Sequence, residues 1–395
     1  MSVAEHRIGR LRAAQRALPA NVRALSWVSF MNDTASELAY PILPLFLTVT
    51  LGAPVAVIGV IEGIAEGVAV GFRGAAGWLS DRAGERRRPW VVVGYFVSAA
   101  ARPVIAAAPA WGWVLGGRLA DRLGKAARTA PRDALIRDST PAELLGASFG
   151  YHRTLDTLGA VIGALGAVAL LGAGVSLRGA LWVAVVPGFV TLVLLRAVTE
   201  APARPAARGA TPEAHRLPRP FWIALGIWAV FSLGNSSDVF LLLRAHQLGL
   251  DATLAVLAYA LYHAVYATFS WPLGALSDRL PRTVVLAGGL VVFAAVYVGF
   301  ALTGSAWAVW PLFALYGLYV AATDGVAKAW IADYIPGRFA GSAYGLFAAT
   351  SGAALLLASV AAGLLWSHVG PGAPFVLGAS AAGLALVLLL AFRRS

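Results

Sequence analysis

Several acidic residues lie inside segments that are otherwise apolar. Asp33 and Glu37 are four residues apart, and so are Glu62 and Glu66, which places each pair on one face of a helix. A carboxyl group inside a membrane costs at least about 2.5 kcal/mol, so each one needs a role, and carrying a proton is one such role. We expect the proton carriers to be among five acids: Asp33, Glu37, Glu66, Asp121 and Asp156.

Static ion pairs are the alternative explanation for two of these acids. The pairs open to them are Asp121 with Arg118 or Lys125, and Asp156 with Arg153 or His152. No cation lies in the segment that holds Asp33 and Glu37, so the sequence favours a functional role there.

A second set of polar and aromatic residues is placed to line a central cavity. Arg102, followed by Pro103 at a predicted kink, could meet an anionic substrate or could partner an acid. The second half of the chain has fewer charges, which predicts a more neutral wall there. The cavity candidates are Asn32, Tyr40, Glu62, Arg102, Arg118, His152, Asn235, Asp238, Tyr262 and Tyr316.

Enzyme chemistry was considered for Ser148, His152 and Asp156, which follow one another at intervals of four residues. A hydrolase triad needs side chains that converge from different elements and an oxyanion hole, and one straight helix supplies neither. The sequence also lacks a zinc-binding His/Glu motif and a phosphate-binding loop, and it contains no cysteine. We therefore predict no enzymatic activity, no metal site and no cofactor.

The elements that must position these residues are membrane-spanning helices. Hydrophobic residues make up 59% of the 395 positions and charged residues 13%, against about half and a quarter in soluble domains. Windows of roughly 20 apolar residues predict twelve spans and hence an all-α membrane protein. The predicted units are an N-terminal arm (1–24), a six-helix bundle (25–196), a linker (197–219), a second six-helix bundle (220–391) and a tail (392–395).

The basic residues follow membrane topology. The net charge of +12 could suggest a nucleic-acid partner, but arginines concentrate in alternate connections, as the positive-inside rule requires. This pattern predicts cytoplasmic termini in a multi-pass protein of a plasma membrane, specifically a bacterial inner membrane, with the lipid bilayer and a small-molecule substrate as partners. A monomer that binds no nucleic acid is expected.

The two halves of the sequence resemble each other. Asn32 matches Asn235, and Asp121-x-x-x-Lys125 matches Asp324-x-x-x-Lys328, both at an offset of 203 positions. Such a repeat predicts two pseudo-symmetric bundles with a site between them. Each acid–lysine set has the i, i+4 spacing of a helical ion pair. A matched structural pair in each half is therefore predicted, although Lys125 could instead reach a carboxylate of span 1 or 2.

A loop motif follows the second span. Residues 77–87 read Gly-Trp-Leu-Ser-Asp-Arg-Ala-Gly-Glu-Arg-Arg, and residues 274–279 carry a partial copy, Gly-Ala-Leu-Ser-Asp-Arg. The first loop resembles the signature of the major facilitator superfamily, from which only Glu85 departs. The resemblance implies a cytoplasmic gate brace whose residues are Gly77, Asp81, Arg82, Gly84, Arg86, Arg87, Gly274, Asp278 and Arg279.

Two further resemblances favour export. Arg118-Leu-Ala-Asp121 is similar to the arginine motif in span 4 of the superfamily, with Asp in place of Gln. Gly159, Gly163 and Gly166 resemble the antiporter motif in span 5, with its proline replaced by Ala164. The predicted function is a secondary active transporter that exports a small organic molecule in exchange for protons, with the proton gradient as energy source. The alternative is proton-coupled uptake of a small metabolite.

Overall fold

The computed structural model describes residues 17–53, 55–83, 86–201, 217–250, 252–336 and 339–394. The first half forms six spans. Their bounds are α1, Ala20–Ala39, continued by Leu43–Leu45 and a π-helical turn Phe46–Thr50; α2, Val55–Arg82; α3, Arg88–Ala107; α4, Trp111–Asp138; α5, Leu145–Gly172; and α6, Leu177–Leu194.

The second half repeats this order. Its spans are α7, in two pieces, Arg219–Ser232 and Val239–Gln247; α8, Ala252–Ser277; α9, Arg282–Leu302; α10, Val309–Ala332; α11, Ala340–His368; and α12, Ala373–Arg394. The predicted all-α fold with twelve spans in two bundles is confirmed, counting α1 and α7 as one interrupted span each.

Proline and glycine explain where the first span of each half is interrupted. In α1 the helix stops before Pro41 and resumes around Pro44, because proline has no N–H to continue the hydrogen-bond ladder. In α7 the break covers residues 233–238, which include Gly234, Asn235 and two serines, all weak helix formers.

Some predicted boundaries shift by a few residues. Pro19 precedes the first turn of α1, so this helix begins at Ala20, inside the predicted arm. At the other end α12 continues to Arg394, through most of the predicted tail. Most of the predicted arm (1–16) and linker (202–216) lies outside the described residues.

One face of the molecule gathers the segments that lead into the linker. Asn21 at the start of α1 donates to Thr199 O, just after α6, at 2.9 Å and to Ser139 Oγ, at the end of α4, at 3.0 Å. Arg88 at the start of α3 donates to Val198 O at 2.7 Å. We call this face the linker side; it is the side predicted to be cytoplasmic, and the opposite face is the far side.

Each bundle packs differently. The backbones of α3 and α4 approach closely, because a Cβ on Gly94 would lie 2.6 Å from Gly124 O. The second bundle uses aromatic rings instead: the Phe293 ring lies 5.0 Å from Phe231 and 3.9 Å from Tyr297. Large apolar side chains also cover the outer surface, as a lipid-facing protein requires. Among the described residues, seven helices are long and apolar enough to cross a membrane.

Candidate functional site

The Asp81 carboxylate joins the two bundles at the linker side. One oxygen accepts from Gly341 N at 3.0 Å, and the other accepts from Ser342 N and Ser342 Oγ, each at 2.5 Å. Both carboxylate oxygens therefore bind residues at the start of α11, where free N–H groups and the helix dipole favour an anion. Arg87 also forms an ion pair with Asp81.

Asp278 makes the symmetry-related contact. Its two carboxylate oxygens accept from Gly146 N and Ala147 N at the start of α5, both at 2.8 Å. Arg282, one turn further on, lies 3.3 Å from the same carboxylate. Each bundle therefore places one carboxylate on a helix start of the other bundle.

The other residues of the two loop motifs take different positions. Gly77 lies against Gly341, and Gly274 lies against Gly146, each at a point where two backbones meet too closely for a side chain. Arg87 is fully buried and also donates to Ser80 Oγ at 3.0 Å. Gly84 lies outside the described residues, and the exposed arginines of the motifs are Arg82, Arg86 and Arg279.

Two ion pairs among the described residues also cross between the bundles, one buried and one half-buried. Lys328 Nζ in α10 lies 2.6 Å from Asp133 Oδ2 in α4, and Asp133 also pairs with Arg132 at 3.0 Å. Arg153 Nε in α5 lies 3.0 Å from Asp324 Oδ2 in α10. Asp324 and Lys328 therefore do not form the i, i+4 pair that the sequence predicted, because each finds an opposite charge on the facing bundle.

The matching pair in the first half does not form either. Asp121 Oδ2 lies 3.7 Å from Arg118 Nη1, which is one of the two static pairs considered from the sequence. Lys125 is exposed, and the charges that act on it include those of Asp33 and Asp156. No ion pair of Lys125 with a carboxylate occurs among the described residues, so the alternative that it reaches span 1 or 2 stays a prediction.

The linker side is closed by these contacts. Arg137 in α4 donates to Ile335 O at 2.5 Å, and Arg282 donates to Ala142 O at 2.9 Å. Lys125, near the middle of α4, is exposed, and so is Tyr40 on the far-side half of α1. The described contacts therefore fit a form in which the two bundles are joined at the linker side.

Two carboxyl groups meet at the centre of the first bundle. Asp33 of α1 and Asp156 of α5 lie in hydrogen-bonding range of each other. Asn32 Nδ2 donates to Asp33 Oδ1 at 3.0 Å, and Ser29 donates to Asp156. Arg153 Nη1 lies 2.9 Å from Asp156 Oδ2, the static pair considered from the sequence.

Arg153 connects this carboxyl pair to the other bundle. Its guanidinium contacts Asp156 through Nη1 and Asp324 through Nε, so one side chain links α5 to α10. Tyr266 OH in α8 donates to the Asp324 carboxylate at 2.6 Å. Arg153 was considered from the sequence only as a partner of Asp156, since its contact with Asp324 joins residues far apart in the chain.

The Arg102 side chain of α3 is hydrogen-bonded to α1. Its Nη2 donates to Asn32 Oδ1 at 2.9 Å and to Ser36 Oγ at 3.0 Å, while Nη1 has no partner. Arg102 and Asn32 are both buried, so in this form they tie α3 to α1 instead of lining an open space.

The remaining candidates of the first half are spread around this centre. Glu37 lies one turn from Asp33, on the same face of α1. Arg118 lies over the Tyr40 ring, with 5.5 Å between the guanidinium carbon and the ring centroid. His152 is fully buried, and neither of its ring nitrogens has a hydrogen-bond partner. The side chains of Glu62 and Glu66 lie outside the described residues.

The second bundle has one carboxylate beside the break in α7. Asp238 accepts from Tyr316 OH at 2.7 Å and from Tyr259 OH at 3.4 Å. The Tyr262 ring packs 5.1 Å from Tyr316. Asn235, inside the break, donates to Tyr319 OH at 3.0 Å. Four cavity candidates from the sequence thus come together on α7, α8 and α10.

Two residues of the inter-bundle contacts were missed by sequence reasoning. Asp133 lies in the last turns of α4, which ends at Asp138, and its partner Lys328 is 195 positions away in the chain, so local spacing does not reveal the contact. Tyr259 is 21 positions from Asp238, and nothing in the sequence places the two next to each other. No group of three or more His, Cys, Asp or Glu residues that could hold a metal ion occurs within the described ranges.

Two helical bundles that face each other, with charged residues between them and helix starts capped across the interface, define a membrane transporter. The sequence profile of the Major Facilitator Superfamily matches residues 25–244 and 233–395. An uncharacterised MFS-type transporter of Methanocaldococcus jannaschii is 36% identical over 398 residues, covering 98% of both chains. The chain belongs to the Major Facilitator Superfamily.

Solved structures agree in fold. FucP in the outward conformation superposes with a TM-score of 0.76 at 13% identity, covering 94% of this chain and 98% of FucP. A bacterial homologue of the iron transporter ferroportin, in its outward-facing state, gives a TM-score of 0.70 at 16% identity, covering 95% and 99%. At these identities the similarity concerns the fold alone.

Proposed function

We propose that this transporter exports a small organic molecule in exchange for protons by alternating access. The observation that carries the proposal is the contact between Asp33 and Asp156, which Arg153 connects to Asp324 of the other bundle. Adjacent carboxyl groups favour holding one proton between them, since two neighbouring negative charges repel strongly in a low dielectric.

Arg153 connects the protonation of the carboxyl pair to the contact between the two bundles. When the carboxyl pair gains or loses a proton, the negative charge on one side of Arg153 changes. The pull of Arg153 toward Asp156 then changes relative to its pull toward Asp324, which lies across the interface. Because that interface must separate before the linker side can open, proton binding and opening are coupled.

The glycine run of α5 supports export. Gly163 packs directly against α1, because a Cβ there would lie 2.9 Å from Leu38 N and 3.1 Å from Glu37 Cβ. This close crossing sets the separation of α1 and α5, on which the contact of Asp33 with Asp156 depends. The residues that resemble the antiporter motif thus hold the carboxyl pair together.

The surroundings of the protein are part of the proposal. We place the linker side in the cytoplasm, from the arginine distribution, and the protein in a bacterial inner membrane. It works as a monomer with no cofactor, on a small-molecule substrate, and it binds no nucleic acid. The outward-accessible form is then the one that takes protons from outside.

Transport in proteoliposomes tests the proposal. A pH gradient is imposed in each direction, a trapped dye reports proton movement, and a compound panel is screened for counter-movement. The purified protein should exchange at least one compound for protons, and Asp33→Asn and Asp156→Asn should each abolish the exchange. Glu143→Gln, which removes an exposed acid of the α4–α5 connection, is the matched control.

The result is decisive in either direction. Movement of compound and protons in the same direction would show uptake symport, which is the alternative function. Full proton-driven exchange in the Asp33→Asn, Asp156→Asn double variant would exclude this carboxyl pair as the proton carrier.

A further inference from the structure

The break in α7 leaves backbone acceptors unpaired inside the membrane region. Within the described part of the chain, the carbonyl oxygens of residues 233–236 accept no hydrogen bond. Ser237 N donates instead to a side chain of another helix, Ser359 Oγ of α11, at 3.1 Å. Unpaired carbonyls are costly in hydrocarbon unless they face protein or line a cavity, so their oxygens need a partner there.

The break lies deep in the bilayer. The first piece of α7 spans fourteen residues from Arg219 to Ser232, a length of about 20 Å. Tyr259, which bonds Asp238, lies within electrostatic range of Glu37 and Tyr40 of α1. The break therefore faces the space between the bundles, where a carried molecule must pass.

Negative groups at the break have no permanent counter-charge. Asp238 is bonded by two phenol hydroxyls and forms no ion pair with a lysine or arginine among the described residues. The Oδ1 atom of Asn235 is buried and has no partner, because only its amide nitrogen is used, toward Tyr319. The neighbouring His263 turns its Nδ1 to Tyr259 O at 3.1 Å.

Aromatic rings complete the surroundings. The ring centroids of Tyr259 and Tyr262 are 5.3 Å apart, those of Tyr262 and Tyr316 are 5.1 Å apart, and those of Tyr316 and Tyr319 are 5.2 Å apart. Tyrosine faces carry negative charge density and attract cations. Carboxylate, amide oxygen, free carbonyls and ring faces all favour a positive charge.

We propose that the break in α7 binds a monovalent cation, either Na⁺ or the ammonium group of an organic amine, with Asp238 as its counter-charge. The free carbonyls and Asn235 Oδ1 supply further oxygen ligands, and the tyrosine rings line the site. This inference goes beyond the proposed function, because the site lies in the second bundle and its occupancy is measured without any proton movement. Binding with no proton exchange would leave this site standing and the proposed function refuted.

The test uses the purified full chain in lipid nanodiscs. The midpoint of thermal unfolding is measured while NaCl or tetramethylammonium chloride is titrated, with N-methylglucamine chloride holding the ionic strength constant. At least one of the two cations should raise the midpoint saturably, as mass action requires for a bound ligand. Sodium alone would identify an inorganic ion site, and tetramethylammonium would identify an organic ammonium site; either supports the proposal.

Three variants test the role of Asp238, one of them a control outside the break. Asp238→Asn keeps the size of the side chain and removes its charge, so the half-saturating concentration should rise at least about tenfold. Glu143→Gln, an exposed acid outside the break, should titrate like the unmodified chain. If Asp238→Asn does not fold, Tyr316→Phe keeps the carboxylate and removes the hydroxyl at 2.7 Å, and weaker binding is again expected. No saturable stabilisation by either cation, or an unchanged titration in the variant that folds, would overturn the proposal.

Discussion

The buried ion pair of Lys328 with Asp133 offers a direct test of how the linker side is held shut. Both residues are at least 95% buried, and the pair joins α10 of one bundle to α4 of the other at 2.6 Å. In Lys328→Met the apolar chain remains while the charge is lost. Because the pair can exist only when the bundles meet, the loss acts on the closed form alone.

The size of the effect follows from what Asp133 keeps. Removing one partner of a buried pair costs about 3–5 kcal/mol when the other charge is orphaned. Here Asp133 retains Arg132 at 3.0 Å, so the loss is closer to that of one charge-assisted hydrogen bond, about 2 kcal/mol. Such a loss multiplies the ratio of open to closed molecules about 30-fold, so an open population of about 1% would rise to about a quarter.

Spin-label distances measure this shift. The sequence has no cysteine, so cysteines introduced at positions 143 and 280 are the only thiols to label. These exposed positions lie on opposite bundles near the contact of Arg282 with Ala142 O. Lys328→Met should add a longer distance component. Arg219→Met, which removes an exposed arginine at the start of α7, should leave the distances unchanged. An unaltered distribution for Lys328→Met, or equal shifts in both variants, would refute the reasoning.

Two other predictions use the same labels. Asp81→Asn and Asp278→Asn should each raise the open population, because each weakens the hold of a carboxylate on a helix start of the opposite bundle; closure that survives both changes together would count against the carboxylate contacts. Gly77→Val should also favour the open form, since its side chain meets the Gly341 backbone. Gly71→Val on the same helix has open space around it and is the control, and equal distances in the two valine variants would contradict the prediction.

The helices and their order could be predicted from the sequence. A spanning helix forms its backbone hydrogen bonds within one segment, so a run of consecutive apolar residues is enough to predict its position and length. The loop motifs that imply a gate brace are also visible in the sequence, and their acids Asp81 and Asp278 both accept from a helix start of the opposite bundle. These features depend on local sequence patterns and on the internal repeat, and both can be recognised in a single sequence.

The partners of the buried charges were decided by the tertiary structure. Lys328 has Asp324 one turn away yet pairs with Asp133, which is 195 positions earlier in the chain. Equivalent residues of the repeat also diverge: Asn32 lies in a continuous part of α1, whereas Asn235 lies in the break of α7. Local spacing shows which charges can meet along one helix. Only the approach of the two bundles brings Lys328 to Asp133 and Arg153 to Asp324, at 2.6 and 3.0 Å, and the burial of Lys328 and Asp133 strengthens the first of these contacts.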